Sequence, residues 1–140
     1  MPTAAETVDR CALFSPLSAK ERARVAADLR ERRYAAGDAM TSEDQGGVGF
    51  FLIGEGTAEV RIGDGGPAGT LGPGDTFGEM ALITGETRSA AITAQTDVQC
   101  WVLSQWHFKP LVMENPEVAW SLLEILALRV RETQGRNTGS

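Results

Sequence analysis

The chain has 140 residues, 42% hydrophobic and 23% charged, which is typical of one soluble globular domain with its own core. Its formal net charge of −6 argues against nucleic acid as a partner, because neutralising phosphates requires clustered Lys and Arg. The sequence lacks an N-terminal apolar signal segment and any run of about 18 apolar residues, so we expect a cytoplasmic protein that makes no membrane contact.

Few residues are suited to catalysis or to metal binding. Cys11 and Cys100 are far apart in the sequence and, without a secretory signal, are predicted to be reduced thiols. His107 is the single histidine, and a metal enzyme of the cupin type would need several imidazoles. The sequence therefore predicts a protein that is not an enzyme and that holds no metal.

The first predicted element is an N-terminal helix over residues 18–33. Ser18 and Glu21 form a capping-box pattern at its start, and Leu17, Val25 and Leu29 supply an apolar stripe. The segment is locally basic, but its cations alternate with acids. We interpret it as a solvated helix face rather than a nucleic-acid patch.

From residue 34 to residue 103, short apolar runs alternate with Gly, Asp and Pro. Residues 48–53 and 57–62 are predicted strands, joined as a hairpin by a glycine-containing turn. Residues 89–95 and 98–103 are predicted to form a second strand pair. Short strands at this spacing predict a mainly β fold, an antiparallel barrel or jelly roll of about eight strands.

The predicted roll is followed by C-terminal helices over residues 104–134. Ser104 is a candidate N-cap, and Asn115-Pro116 breaks the helical pattern before a long helix over residues 116–134. The tail, residues 135–140, is expected to fray. The apolar stripe of the long helix is also compatible with a dimer seam.

The segment "FGEMALITGETRSAAI", residues 77–92, carries the strongest functional pattern. A helical turn beginning after Gly78 would expose backbone N–H groups that favour an anion, with Arg88 and Ser89 returning from the next loop. Glu79 is an acceptor that suits a sugar hydroxyl. Two plainer interpretations stay open on the residues alone: Arg88 as a solvated loop charge, and Glu79 as an ordinary acid at a helix start.

These residues resemble the phosphate-binding cassette of the cyclic-nucleotide-binding domain family. The resemblance rests on Phe77-Gly78-Glu79 with Ala81-Leu82, then Arg88-Ser89-Ala90 with Ile92. It extends along most of the chain, with similar segments at residues 13–18, 37–38, 50–60 and 108–120. It implies one domain built as an eight-stranded antiparallel β-roll with helices at both ends.

The resemblance also implies roles for individual residues. Glu79 would accept from the ribose 2′-hydroxyl, and Arg88 and Ser89 would bind the cyclic phosphate, while Gly78 and Ala81 leave room and offer backbone amides. In family members, residues near the end of the long helix approach the base of the nucleotide. The corresponding residues here are Arg129 and Thr133, and both could equally well be ordinary exposed helix residues. The implied ligand-binding set is Phe77, Gly78, Glu79, Met80, Ala81, Arg88, Ser89, Ala90, Arg129 and Thr133.

The function implied is that of a stand-alone sensor that binds cyclic AMP, with the last helix as a movable lid or partner contact. The sequence ends about six residues after that helix, so we expect no helix-turn-helix domain and an output through an unknown protein partner or a homodimer. Two alternatives stay open: the same fold with an unused pocket acting as an interaction module, and a sensor that prefers cyclic GMP, since Ser89 offers a hydroxyl to a guanine.

Overall fold

The structure is a computed structural model that describes residues 1–40, 49–62, 67–79, 83 and 90–138, with only the backbone from residue 132 onward. Four α-helices and seven β-strands lie in these residues, together with a short 3-10 turn. In chain order they are α1 (Ala4–Arg10), the 3-10 turn (Ala12–Phe14), α2 (Ala19–Asp28), β1 (Arg30–Tyr34), β2 (Gly49–Glu55), β3 (Ala58–Ile62), β4 (Pro67–Leu71), β5 (Thr76–Phe77), β6 (Ala90–Ala94), β7 (Val98–Ser104), α3 (Gln105–Glu114) and α4 (Pro116–Thr138).

The strands form two antiparallel sheets. The larger has the order β1-β7-β2-β5, and the smaller has the order β4-β3-β6. The predicted class, a mainly β antiparallel roll with flanking helices, is confirmed, and the seven strands of the described residues are close to the eight predicted.

The predicted strand pairs are wrong. β2 pairs with β5 and β7, whereas β3 pairs with β4 and β6, so each predicted hairpin is divided between the two sheets. Six consecutive residues of β2 are buried, as expected of a central strand that is covered on both faces. Gly56 lies where the chain passes from β2 in one sheet to β3 in the other. Its φ is +92°, and a Cβ there would overlap the Asp97 carbonyl oxygen. The glycine serves a close crossing between sheets rather than a hairpin.

The N-terminal helix is shorter than predicted. Its capping box is confirmed, since the Glu21 N–H donates to the Ser18 hydroxyl over 3.2 Å. The helix nevertheless ends at Asp28, Leu29 is extended, and Arg30–Tyr34 form β1 instead of a last helical turn. All five residues of β1 pair with β7, and this pairing overrides the helix propensity of the Arg-rich segment.

Two further helical segments differ from the prediction. α1 was not predicted, although its Thr3 and Glu6 form a second capping box that is visible in the sequence. At the other end, α4 continues to Thr138, four residues beyond the predicted end at residue 134. The break before α4 is confirmed, because Asn115 leaves helical geometry at the end of α3.

Two apolar clusters form the core. One fills the space between the helices and the larger sheet, where the ring of Phe50 stacks on that of Phe108 with centroids 4.8 Å apart. Val118 and Leu122 of α4 belong to this cluster and are 0% and 4% exposed. The first half of α4 is therefore part of the core rather than a detachable arm.

The second cluster lies between the two sheets and includes Cys100 and the stacked rings of Phe51 and Phe77. Burial raises the pKa of the Cys100 thiol to about 12 and that of Cys11 to about 11, so both thiols are protonated at neutral pH. Among the residues that the structure describes, no helix is long and apolar enough to cross a membrane.

Candidate functional site

Gly78 fixes the geometry at the end of β5. Its φ is +95°, and a Cβ at this position would overlap the carbonyl oxygen of Gly49. Only glycine fits both conditions, and the turn it makes places Glu79 directly after the strand. Glu79 and Ile83 both have helical backbone, as predicted for a helical turn after Gly78; residues 80–82 between them lie outside the described residues.

Glu79 is a buried carboxylate, with 2% of its surface exposed. Its Oε1 forms an ion pair with Nη1 of Arg129. Its Oε2 is also buried and has no hydrogen-bond partner among the described residues. A buried charge is costly unless it is paired, and a buried acceptor without a donor adds to that cost. Glu79 is therefore held by one partner and retains an acceptor oxygen for a second.

Arg129 comes from α4, 50 residues further along the chain. Besides its contact with Glu79, it donates through Nη2 to the carbonyl oxygen of Thr76 over 2.7 Å. About a third of its side chain, 35%, stays exposed. The two contacts fasten the second half of α4 to the end of β5, next to the turn at Gly78.

The other predicted site residues are described by the structure to different extents. The Phe77 side chain is buried in the core, stacked on Phe51 with ring centroids 4.6 Å apart. Ala90 is the first residue of β6, and Thr133 lies one helical turn after Arg129, where only the backbone is described. Met80, Ala81, Arg88 and Ser89 lie outside the described residues. Their roles toward a ligand stay predictions.

The sequence interpretation missed the contact between Arg129 and Glu79 and the part played by the Thr76 carbonyl. The resemblance directed Arg129 toward a base, and no local pattern connects it to the segment around Gly78. The structure brings together Gly78, Glu79 and Arg129 from the predicted set.

His107 lies away from this site. Its Nδ1 is 2.9 Å from the Ser104 hydroxyl and its Nε2 is 3.8 Å from a carboxylate oxygen of Asp28, the last residue of α2. His107 and Asp28 are exposed, and Ser104 is half-buried. Within the described part of the chain, no three His, Cys, Asp or Glu side chains lie together as a metal site would require. The contact links α2 to α3.

The fold and the site define a class of protein. A double-sheet roll flanked by helices carries, after a glycine with positive φ, a buried acidic acceptor that a C-terminal helix contacts. Residues 31–115 match the family model of the cyclic nucleotide-binding domain, which is more than half of the chain. The chain therefore belongs to the cyclic nucleotide-binding domain family.

Known proteins agree with this assignment. A cAMP-dependent protein kinase regulatory subunit of Mycosarcoma maydis is 45% identical over 85 residues, 59% of this chain and 16% of the relative. The solved structure of cAMP-bound PfPKA-R superposes with a TM-score of 0.83 at 26% identity, covering 95% of this chain and 46% of that one. The catabolite activator protein of Thermus thermophilus gives 0.78 at 29% identity, covering 91% and 62%. The chain thus spans less than half of the length of these two regulatory subunits.

Proposed function

We propose that this domain is a sensor that binds cyclic AMP beside Glu79 and does no chemistry on it. The observation that carries the proposal is the buried carboxylate of Glu79, of which one oxygen is without a hydrogen-bond partner among the described residues. A ribose 2′-hydroxyl is a donor of the right kind for that oxygen. The family and the cAMP-bound structural relative support cyclic AMP as the ligand.

In this proposal the cyclic phosphate is bound on the other side of the ligand. Arg88 supplies a charged pair of N–H donors, and Ser89 supplies a hydroxyl. Backbone amides after Gly78 complete the anion site, with Met80, Ala81 and Ala90 lining it. Phe77 supports the site from the core through its stacking on Phe51. Thr133 is proposed to reach the base from α4.

The second half of α4 is proposed to act as a lid. Arg129 contacts the same carboxylate that is assigned to the ribose, so a ligand there changes the environment of the residue that fastens the helix. A ligand shifts the helix only by its difference in affinity for the two helix positions, for which about 1–3 kcal/mol is a reasonable scale. The output is proposed to pass from α4 to a protein partner.

Replacing Glu79 by Gln tests the ribose assignment. The amide keeps the size of the side chain but offers a weaker, neutral acceptor. We expect wild-type protein to prefer cyclic AMP over 2′-deoxy cyclic AMP by about 10-fold, and Glu79→Gln to lose most of that preference. Fluorescence competition with the two nucleotides measures it. A variant that discriminates as well as wild type would remove Glu79 from the ribose site.

Hydrogen exchange tests the lid. With saturating cyclic AMP, we expect backbone amides of residues 125–138 to exchange at least about 5-fold more slowly, because the docked helix opens less often. Residues 118–122 provide the internal control, since Val118 and Leu122 are already in the core. Unchanged exchange in residues 125–138, with binding verified in the same sample, would contradict the lid while leaving the pocket intact.

A further inference from the structure

Gly49, the first residue of β2, is buried and has no space for a side chain. A Cβ on it would lie 2.7 Å from Cγ1 of Val102, whereas two carbon atoms in contact are about 3.5–4.0 Å apart. The φ of Gly49 lies outside the positive region, so packing rather than backbone conformation requires the glycine. A glycine in a strand often marks a place where another backbone approaches closely.

The backbone that approaches Gly49 is that of Gly78. The carbonyl oxygen of Gly49 lies where a Cβ of Gly78 would be, and Cδ1 of Phe51 is 3.3 Å from the same point. β2 pairs with β5 through Phe51 and Phe77, and this register, continued by two residues, reaches Gly49 on one side and Glu79 on the other. The two glycines therefore pack backbone against backbone at the turn that presents Glu79.

We propose that Gly49 is a positioning residue for the nucleotide site. Because it has no side chain, the start of β2 packs closely against β7, and its carbonyl oxygen then supports the Gly78 turn in the position from which Glu79 meets the ribose. The inference rests on the function proposed above, and it adds a residue from outside residues 77–92 to that site. Gly49 acts through Gly78 and Glu79, not through a contact of its own with the nucleotide.

A methyl group on residue 49 would move the start of β2 rather than Val102. Val102 is paired on both sides, with Arg30 of β1 and Phe51 of β2, and its β-branched side chain has little rotational freedom. The pair of Gly49 with Ser104, in contrast, is the last of the ladder between β2 and β7 and yields more easily. A displaced Gly49 carries its carbonyl oxygen with it, and the Gly78 turn shifts. Binding groups must be held within about 0.5 Å, so a small shift is enough to weaken the site.

Titration of three variants of the full chain with cyclic AMP tests the proposal. Gly49→Ala should weaken binding by about 10-fold. Adding Val102→Ala removes the atom that the new methyl group meets, and the double variant should bind within about 3-fold of wild type. Gly72→Ala is the matched control: Gly72 lies between β4 and β5, a Cβ on it would have nothing within 4 Å, and its variant should bind within about 2-fold of wild type. Circular dichroism verifies that each variant is folded at the temperature of the titration.

Discrimination against 2′-deoxy cyclic AMP separates positioning from a purely structural role. In Gly49→Ala the preference for cyclic AMP should fall from about 10-fold to less than about 3-fold, and the double variant should regain it. A folded Gly49→Ala chain that keeps the affinity and preference of wild type would overturn the inference alone. A Gly49→Ala chain that does not fold, or a loss of affinity that Val102→Ala does not restore, would overturn it as well. If wild type itself binds no cyclic AMP, the proposed function fails and this inference fails with it.

Discussion

Replacing Arg88 by Ala is expected to weaken cyclic AMP binding by about 30- to 1000-fold. In the proposed site this side chain binds the cyclic phosphate. A charge-assisted, bidentate contact that is partly shielded from water contributes about 2–4 kcal/mol. At about 1.4 kcal/mol per decade, that energy corresponds to the stated range. Calorimetric or fluorescence titration of the purified domain measures the change.

Arg61→Ala is the matched control for this experiment. Arg61 lies on β3, is 57% exposed and pairs with Glu59 at the surface, so its loss should change affinity by less than about 2-fold. Both variants should unfold at the same urea concentration as wild type. Unaltered affinity in a folded Arg88→Ala protein would show that the phosphate is bound elsewhere or that the ligand is of another class.

Replacing Arg129 by Ala is expected to destabilise the domain even without ligand. The change removes the ion-pair partner of the buried Glu79 carboxylate and the donor that Arg129 supplies to the Thr76 carbonyl. Breaking a fully buried pair costs about 3–5 kcal/mol, and since Arg129 is 35% exposed we expect a smaller loss, about 1–3 kcal/mol. Urea unfolding followed by tryptophan fluorescence measures the free energy of unfolding.

Two further variants make this result specific. Lys109→Ala removes an exposed cation from α3 and should alter the unfolding free energy by less than about 0.5 kcal/mol. Adding Glu79→Gln to Arg129→Ala should restore part of the loss, because a neutral amide is less costly to bury than an unpaired charge. If Arg129→Ala is as stable as wild type, the ion pair does not hold α4 against the roll.

Local sequence patterns predicted where helices and strands lie better than they predicted which strands pair. The capping box of Ser18 and Glu21 and the break at Asn115-Pro116 depend on neighbours within a few residues, and both are found in the structure. Strand pairing depends on distant residues: the continuous apolar run of β2 is compatible with a hairpin, yet β7 and β5 flank it. The same dependence turned the Arg-rich end of the predicted first helix into β1.

The candidate site likewise has one part that a local motif predicts and one part that depends on distant residues. Gly78 and Glu79 belong to one short motif, which holds both the positive φ of the glycine and the buried acid. Arg129 lies 50 residues further along the chain and contacts the motif through the fold. Val118 and Leu122 pack the first half of α4 into the core, and the second half then lies beside β5. Helical spacing predicts the buried stripe but not the surface it meets.

Calorimetric titration of the unmodified chain with cyclic AMP measures directly whether this domain binds the nucleotide. We expect saturable binding of one nucleotide per chain, with a dissociation constant in the micromolar range or below, which corresponds to a binding free energy of about −8 kcal/mol or stronger. The double variant Glu79→Gln, Arg88→Ala, folded by circular dichroism, should show no binding at the same concentrations. A wild-type chain that is folded and binds no cyclic AMP at about 1 mM ligand would show that this domain is not a cyclic AMP sensor.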